Sequence, residues 1–178
     1  MRHPALILAF ASAALLTGCS KLISLNPFVA DAQAAADPAL VGTWKGTGSD
    51  EKGRMAIEQR GSVYAIRIEG DAKPIHLEGR LTRVGDAELM DVTTADEHDL
   101  AVAVHLVVRL WPSAGALKWA YLDSDWLRAQ ARQALATQPS DGNTLISAPG
   151  DAAARFLKKF GGDPRAYSGE PNQLVRVP

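Results

Sequence analysis

The chain predicts an α+β domain: a bent antiparallel sheet of seven to eight strands, left open or closed into a small barrel, with two short C-terminal helices. Three observations lead there. Between Leu40 and Leu122, short apolar runs alternate with polar residues at a period of two and are punctuated by glycine-containing turns, the pattern of a half-buried antiparallel meander. Beyond Leu122 the apolar spacing lengthens to that of a helix. The only cysteine of the 178 residues is Cys19, so no disulfide can staple the domain and its core alone must hold it.

Ahead of the domain, residues 1–18 read as an export leader. Arg2 and His3 make a basic start, Ala5 to Leu16 is apolar, and Gly18 is the small residue expected before a cut. The apolar run has 12 residues, too few to span a bilayer, which takes about 20. Residues 19–38 are expected to form a flexible tether, because Ser20 to Pro38 has no settled period, two prolines and an alanine-rich end. Fully extended it would reach roughly 60 Å. Its apolar piece, Leu22 to Val29, is the part suited to docking on the domain or lying at a membrane surface. A single globular domain fills 39–178. Without the leader the chain holds 18 basic and 20 acidic residues, a balance that offers no partner surface for nucleic acid or an acidic membrane.

Within the domain, Leu40 to Thr47 is the first strand, with Gly42 two positions before Trp44. Arg54 to Arg60 and Ser62 to Glu69 form a hairpin that places Met55 and Ile57, then Tyr64, Ile66 and Ile68, on one face. The next strand alternates Ile75, Leu77 and Leu81 with His76, Glu78 and Arg80, and Ala87 to Thr94 follows the Gly85-Asp86 turn. An acidic loop, Asp96 to Asp99, leads to Leu100 to Leu110, which is apolar on both faces and so expected to be covered twice. Ala116 to Leu122 returns with Leu117, Trp119 and Tyr121 on one face. Asp123 and Ser124 are N-cap candidates for a helix over Trp126 to Ala136, where Leu127, Ala131 and Leu135 recur every four residues. Thr137 to Gly142 reads as a polar loop and Asn143 to Ala148 as a short strand, the candidate eighth strand should the sheet close. Pro149 to Asp151 opens a second helix with Phe156 and Phe160 on one side, and Gly161-Gly162 ends it. Gln173 to Val177 alternates poorly and fits at most an edge.

Few of these residues form a set that chemistry would need. His76, His98 and His105 show no ligand spacing, and an acidic turn around His98 is first of all a solvated one, so no metal site and no cofactor are expected. Ser124 beside Asp123 and Asp125, with His105 as a base, would make a hydrolase, but an N-cap explains the same serine. The residues suited to lining a cavity are Trp44, Tyr64, Trp119 and Tyr121, with His105 and Arg109 as polar neighbours on the apolar strand. Non-catalytic binding of a small apolar ligand is therefore the leading expectation, with an envelope-assembly partner as the alternative and a hydrolase behind both.

Leu16-Thr17-Gly18-Cys19 resembles the bacterial lipobox, a leucine and two small residues before an invariant cysteine. That resemblance implies lipid on Cys19 as the first mature residue and attachment to a membrane. Ser20, which is not Asp, implies the periplasmic face of the outer membrane. Gly42-Thr43-Trp44 resembles the Gly-x-Trp first strand of the lipocalin-like (calycin) families, whose tryptophan plugs the closed end of a barrel. The body is also similar to small bacterial lipoproteins of unassigned activity, through Gly42 to Trp44 and the Leu-Asp-Ser-Asp-Trp-Leu run from Leu122 to Leu127. It departs from lipocalins in placing a helix after the seventh strand and in lacking a Thr-Asp-Tyr segment.

Overall fold

In the computed structural model, the alternation of the central strands resolves into a wall that closes on itself. The structure describes residues 21–47, 53–70, 72–95, 102–167 and 170–178. The leader, Cys19, residues 48–52 and the acidic loop with His98 lie outside them. In chain order the elements are β1 (Leu22–Ser24), β2 (Gly42–Gly46), β3 (Arg54–Arg60), β4 (Val63–Glu69), β5 (Ile75–Val84), β6 (Ala87–Thr94), β7 (His105–Ser113) and β8 (Ala116–Tyr121). Helix α1 (Asp125–Ala134), β9 (Thr137–Ser140), β10 (Asn143–Ile146), α2 (Ala152–Phe160) and β11 (Asn172–Arg176) follow. Strands β2 to β8 form an antiparallel meander. β11 pairs with both β8 and β2, and β6 pairs with β7, so eight strands make a closed antiparallel barrel.

The eighth strand is thus β11 and not Asn143 to Ala148. Only Leu174, facing Leu117 on one side and Gly46 on the other, brings a large apolar side chain from β11 into the wall. β10 instead leaves the barrel: it lies parallel to β1 and antiparallel to β9, and β1 joins this hairpin to the first residues of β7. The expected polar loop from Thr137 is therefore a strand. Its partner returns through Asp141 and Gly142, both with positive φ (46° and 78°), the conformation that a two-residue hairpin turn of this hand demands. Strand β7 starts at His105, later than the expected Leu100, and is covered on both faces as anticipated.

Two cores result, one on each side of β6 and β7. Inside the barrel lie Trp44, Ile57, Tyr64, Ile66, Leu81, Met90, Val108 and Leu117. Outside, Leu89 and Val107 meet the helices through Leu127, Ala131, Ala153, Phe156 and Leu157. Ser124 caps α1, accepting the Leu127 N–H at 3.1 Å, and Phe156 and Phe160 of α2 stack 4.9 Å apart.

The tether expectation is corrected from Leu22 onward. Leu22, Phe28, Val29 and Leu40 are buried, each worth about 1.5–3 kcal/mol when removed from water. The buried Asp91 of β6 accepts the Phe28 and Val29 N–H groups at 2.8 and 3.1 Å. Further on, Asp31 meets Arg80 at 2.5 Å, Ala35 pairs with Leu81, and a 3-10 turn at Pro38–Leu40 brings Leu40 under the barrel. This strap runs down the outside of the wall from one end of the barrel to the other.

Candidate functional site

The barrel has a shut end and an apolar chamber. At the shut end, Trp44 and Tyr64 are fully buried. The Trp44 indole Nε1 donates to the Leu40 carbonyl at 3.0 Å, and the Tyr64 hydroxyl accepts the Asp37 N–H at 2.7 Å and donates to the Asp37 carbonyl at 3.2 Å. Arg176, the last residue of β11, lays its guanidinium 4.4 Å from the Trp44 ring and donates to the Val41 and Ala39 carbonyls at 2.7 and 2.6 Å. A side chain at Gly42 would meet that guanidinium at 2.5 Å, on a backbone with φ of 139°. Glycine is therefore what lets the arginine close over the tryptophan.

Above this plug the lumen holds a cavity of about 150 Å³. Its lining comes from β3 (Met55, Ile57), β4 (Ile66, Ile68), β5 (Leu77), β6 (Met90, Val92), β7 (Leu106, Val108, Leu110) and β8 (Leu117, Trp119, Tyr121). Among the described residues no charged side chain lines it, and the polar atoms on its wall side chains are the Trp119 indole N–H and the Tyr121 hydroxyl. These two rings meet edge to face at 5.1 Å. Alternation along each strand builds this surface, since residues i and i+2 face the lumen together.

Of the six residues expected to contact a ligand, Trp119 and Tyr121 line the cavity. Trp44 and Tyr64 do not, because the strap and Arg176 seal them below it. His105 and Arg109 face the outside of the wall, as the register requires when Leu106, Val108 and Leu110 face in. His105 Nδ1 lies 3.0 Å from Asp91 Oδ1, so it helps hold the carboxylate that grips the strap. Arg109 is sandwiched between Trp111 and Tyr167, 4.7 and 4.4 Å from their ring centres. Burial pushes the Tyr167 phenol up to about 12, with Arg109 opposing the shift, and its hydroxyl donates to the Gly161 carbonyl. Val107 and Trp111 make the outer face of β7 partly apolar despite His105 and Arg109, so apolar character alone does not mark the Leu106, Val108 and Leu110 face as the lumen. The larger part of the lining, led by Met55, Ile68, Leu77 and Val92, was visible as alternation but reads equally well as a filled core.

The Ser124 and His105 pairing has no support in their partners. Ser124 is buried with its oxygen on the Leu127 N–H, and His105 is taken by Asp91. Asp123 is bridged to Arg128 at 2.5 Å, and its burial raises its carboxyl above the usual range against that attraction. Among the described residues, no three His, Cys, Asp or Glu side chains gather in a metal-binding group, and no helix is long and apolar enough to cross a membrane. The fold and the lumen define an eight-stranded antiparallel barrel with an apolar chamber. No family model matches the chain, and no curated protein or solved structure was found to resemble it.

Proposed function

We propose that this protein is a lipid-anchored envelope lipoprotein, attached through Cys19 at the periplasmic face of the outer membrane, whose barrel lumen binds a small apolar molecule without chemistry. The observation that carries the binding reading is the chamber of about 150 Å³ walled by apolar side chains. An apolar chamber of that size has room for a guest such as benzene, and the guest gains wall contacts that water would not make. The chemistry suited to it is a compact aromatic hydrocarbon or a short alkyl segment, with Trp119 and Tyr121 presenting ring faces and edges. A protein partner recruited by strand addition is less well served. The closed barrel has no free edge, and the outermost strand, β9, carries Pro139, which blunts an edge.

The test is calorimetric titration of the mature chain with benzene, indole and short alkanols, repeated on Val92→Phe and Val108→Phe. One-to-one binding that falls at least tenfold in a folded, cavity-filled variant is the expected result. No binding, or binding equal in wild type and both filled variants, would overturn the lumen as the site. The anchor has its own check: Cys19→Ala should move the protein from the membrane pellet to the soluble fraction.

A further inference from the structure

We infer that the guest of the lumen is a small amphipathic acid, a compact aryl or alkyl group ending in a carboxylate, whose apolar part fills the chamber and whose carboxylate pairs with the Lys21 ammonium. This rests on the lumen as a binding site and narrows the class of molecule it takes.

Lys21 comes to the chamber through β1, which continues the line of β8. Tyr121 pairs with Val108 of β7, the Leu122 N–H donates to the Val107 carbonyl, and Ile23 of β1 then lies opposite Leu106. Leu106 lines the chamber, so side chains in step with Ile23 turn to the lumen side of the wall. Lys21, two residues before Ile23, is one of these. Its backbone is fixed on β10, where the N–H donates to Asn143 Oδ1 at 2.9 Å and the carbonyl accepts the Thr144 N–H at 2.8 Å. Its Nζ stands 4.6 Å from the ring centre of Tyr121, a residue of the chamber wall.

The ammonium has no anion to itself. Among the described residues Lys21 forms no ion pair, and its side-chain partner is the Tyr121 ring. Asp123, the carboxylate it attracts from further off, is bridged by Arg128 at 2.5 Å. A ring face leaves the three N–H donors of an ammonium short of acceptors, and a carboxylate supplies them.

The other charges at this end of the barrel stand away from the lumen. Alternation from Met55 and Ile68, which line the chamber, turns Arg54 and Glu69 to the outer face of the wall, where they are register partners. Lys73 and Glu170 are exposed in the segments leading into β5 and β11. Within the chamber itself a carboxylate would be buried without a partner, which is costly. An acid therefore has one favourable pose, with its tail among the apolar walls and its head at Lys21.

Calorimetric titration of the mature chain at neutral pH, with 3-phenylpropionate and with its uncharged counterpart 3-phenylpropanol, tests the pairing. The acid should bind about tenfold more tightly than the alcohol, on the order of one hydrogen bond between charged groups. Lys21→Met keeps the apolar stem and the backbone bonds to β10, so it should bring the acid down to the alcohol's affinity and leave the alcohol unchanged. Lys21→Arg should keep the preference. Both probes should be lost in Val108→Phe or Val92→Phe, whose side chains fill the chamber. Equal affinity for acid and alcohol in the native chain, a preference that survives Lys21→Met, or acid binding that survives the filled variants overturns the pairing. The lumen stands without it if the alcohol, benzene or indole still binds the native chain and not the filled variants. If none of these probes binds, the lumen and the acid fall together.

Discussion

At the scale of single residues, the shut end is decided by three side-chain positions that depend on one another. Gly42 leaves room for Arg176, Arg176 covers Trp44, and Trp44 ties back to Leu40. Gly42→Ala sets a Cβ against the guanidinium on a left-handed backbone, and should cost about 2 kcal/mol. Arg176→Ala removes a cation–π contact and two hydrogen bonds to backbone carbonyls, for about 1–3 kcal/mol. In the double variant the clash has nothing to strike, so urea unfolding should give a loss smaller than the sum by 0.5 kcal/mol or more, on the order expected of contacting residues. Strict additivity would mean that the glycine and the arginine do not act on each other. The Gly-x-Trp spacing was legible in the sequence. Arg176 was not, because its role depends on the Val41 and Ala39 carbonyls, 135 and 137 residues back in the chain.

At the scale of elements, the strap and β11 are where sequence and structure part. The strap has no period because it is neither strand nor helix for most of its length; its apolar residues bury one at a time against a wall built much later in the chain. Asp91 is its main polar fastening, accepting two strap N–H groups on one oxygen and facing His105 with the other. Asp91→Ala should leave those buried donors unpaired, at about 2–4 kcal/mol. In native-state hydrogen exchange the Phe28 and Val29 amides should lose protection first, while Ile66 in β4 keeps most of its own. Equal loss at all three amides would show that strap and barrel open as one unit. The meander from Gly42 to Tyr121 and both helices were legible within a few residues, since a half-buried strand and an amphipathic helix each repeat their burial locally. β11 was not, because Asn172, Gln173 and Arg176 give it little apolar contrast, and β9 reads as loop because it is polar and pairs on one side only.

For the whole molecule, closure of the barrel divides the apolar residues into two populations with different tasks. Those outside bury against helices and strap, and hold the fold. Those inside fill the lumen only as far as Leu40, Trp44, Tyr64 and Leu81, and above that level they line a space. No reading of alternation could separate these populations, since a lining residue and a core residue obey the same period. The division does follow from which strands pair last: β11 between β8 and β2, and β6 with β7. Crystallography under xenon pressure tests this account most directly, because xenon enters dry apolar cavities and leaves polar ones to water. Xenon should appear inside the barrel among Met90, Val108 and Trp119, with Trp44 and Tyr64 still closed beneath it. Ordered water in that space, or lumen side chains collapsed to fill it, would contradict an apolar binding chamber.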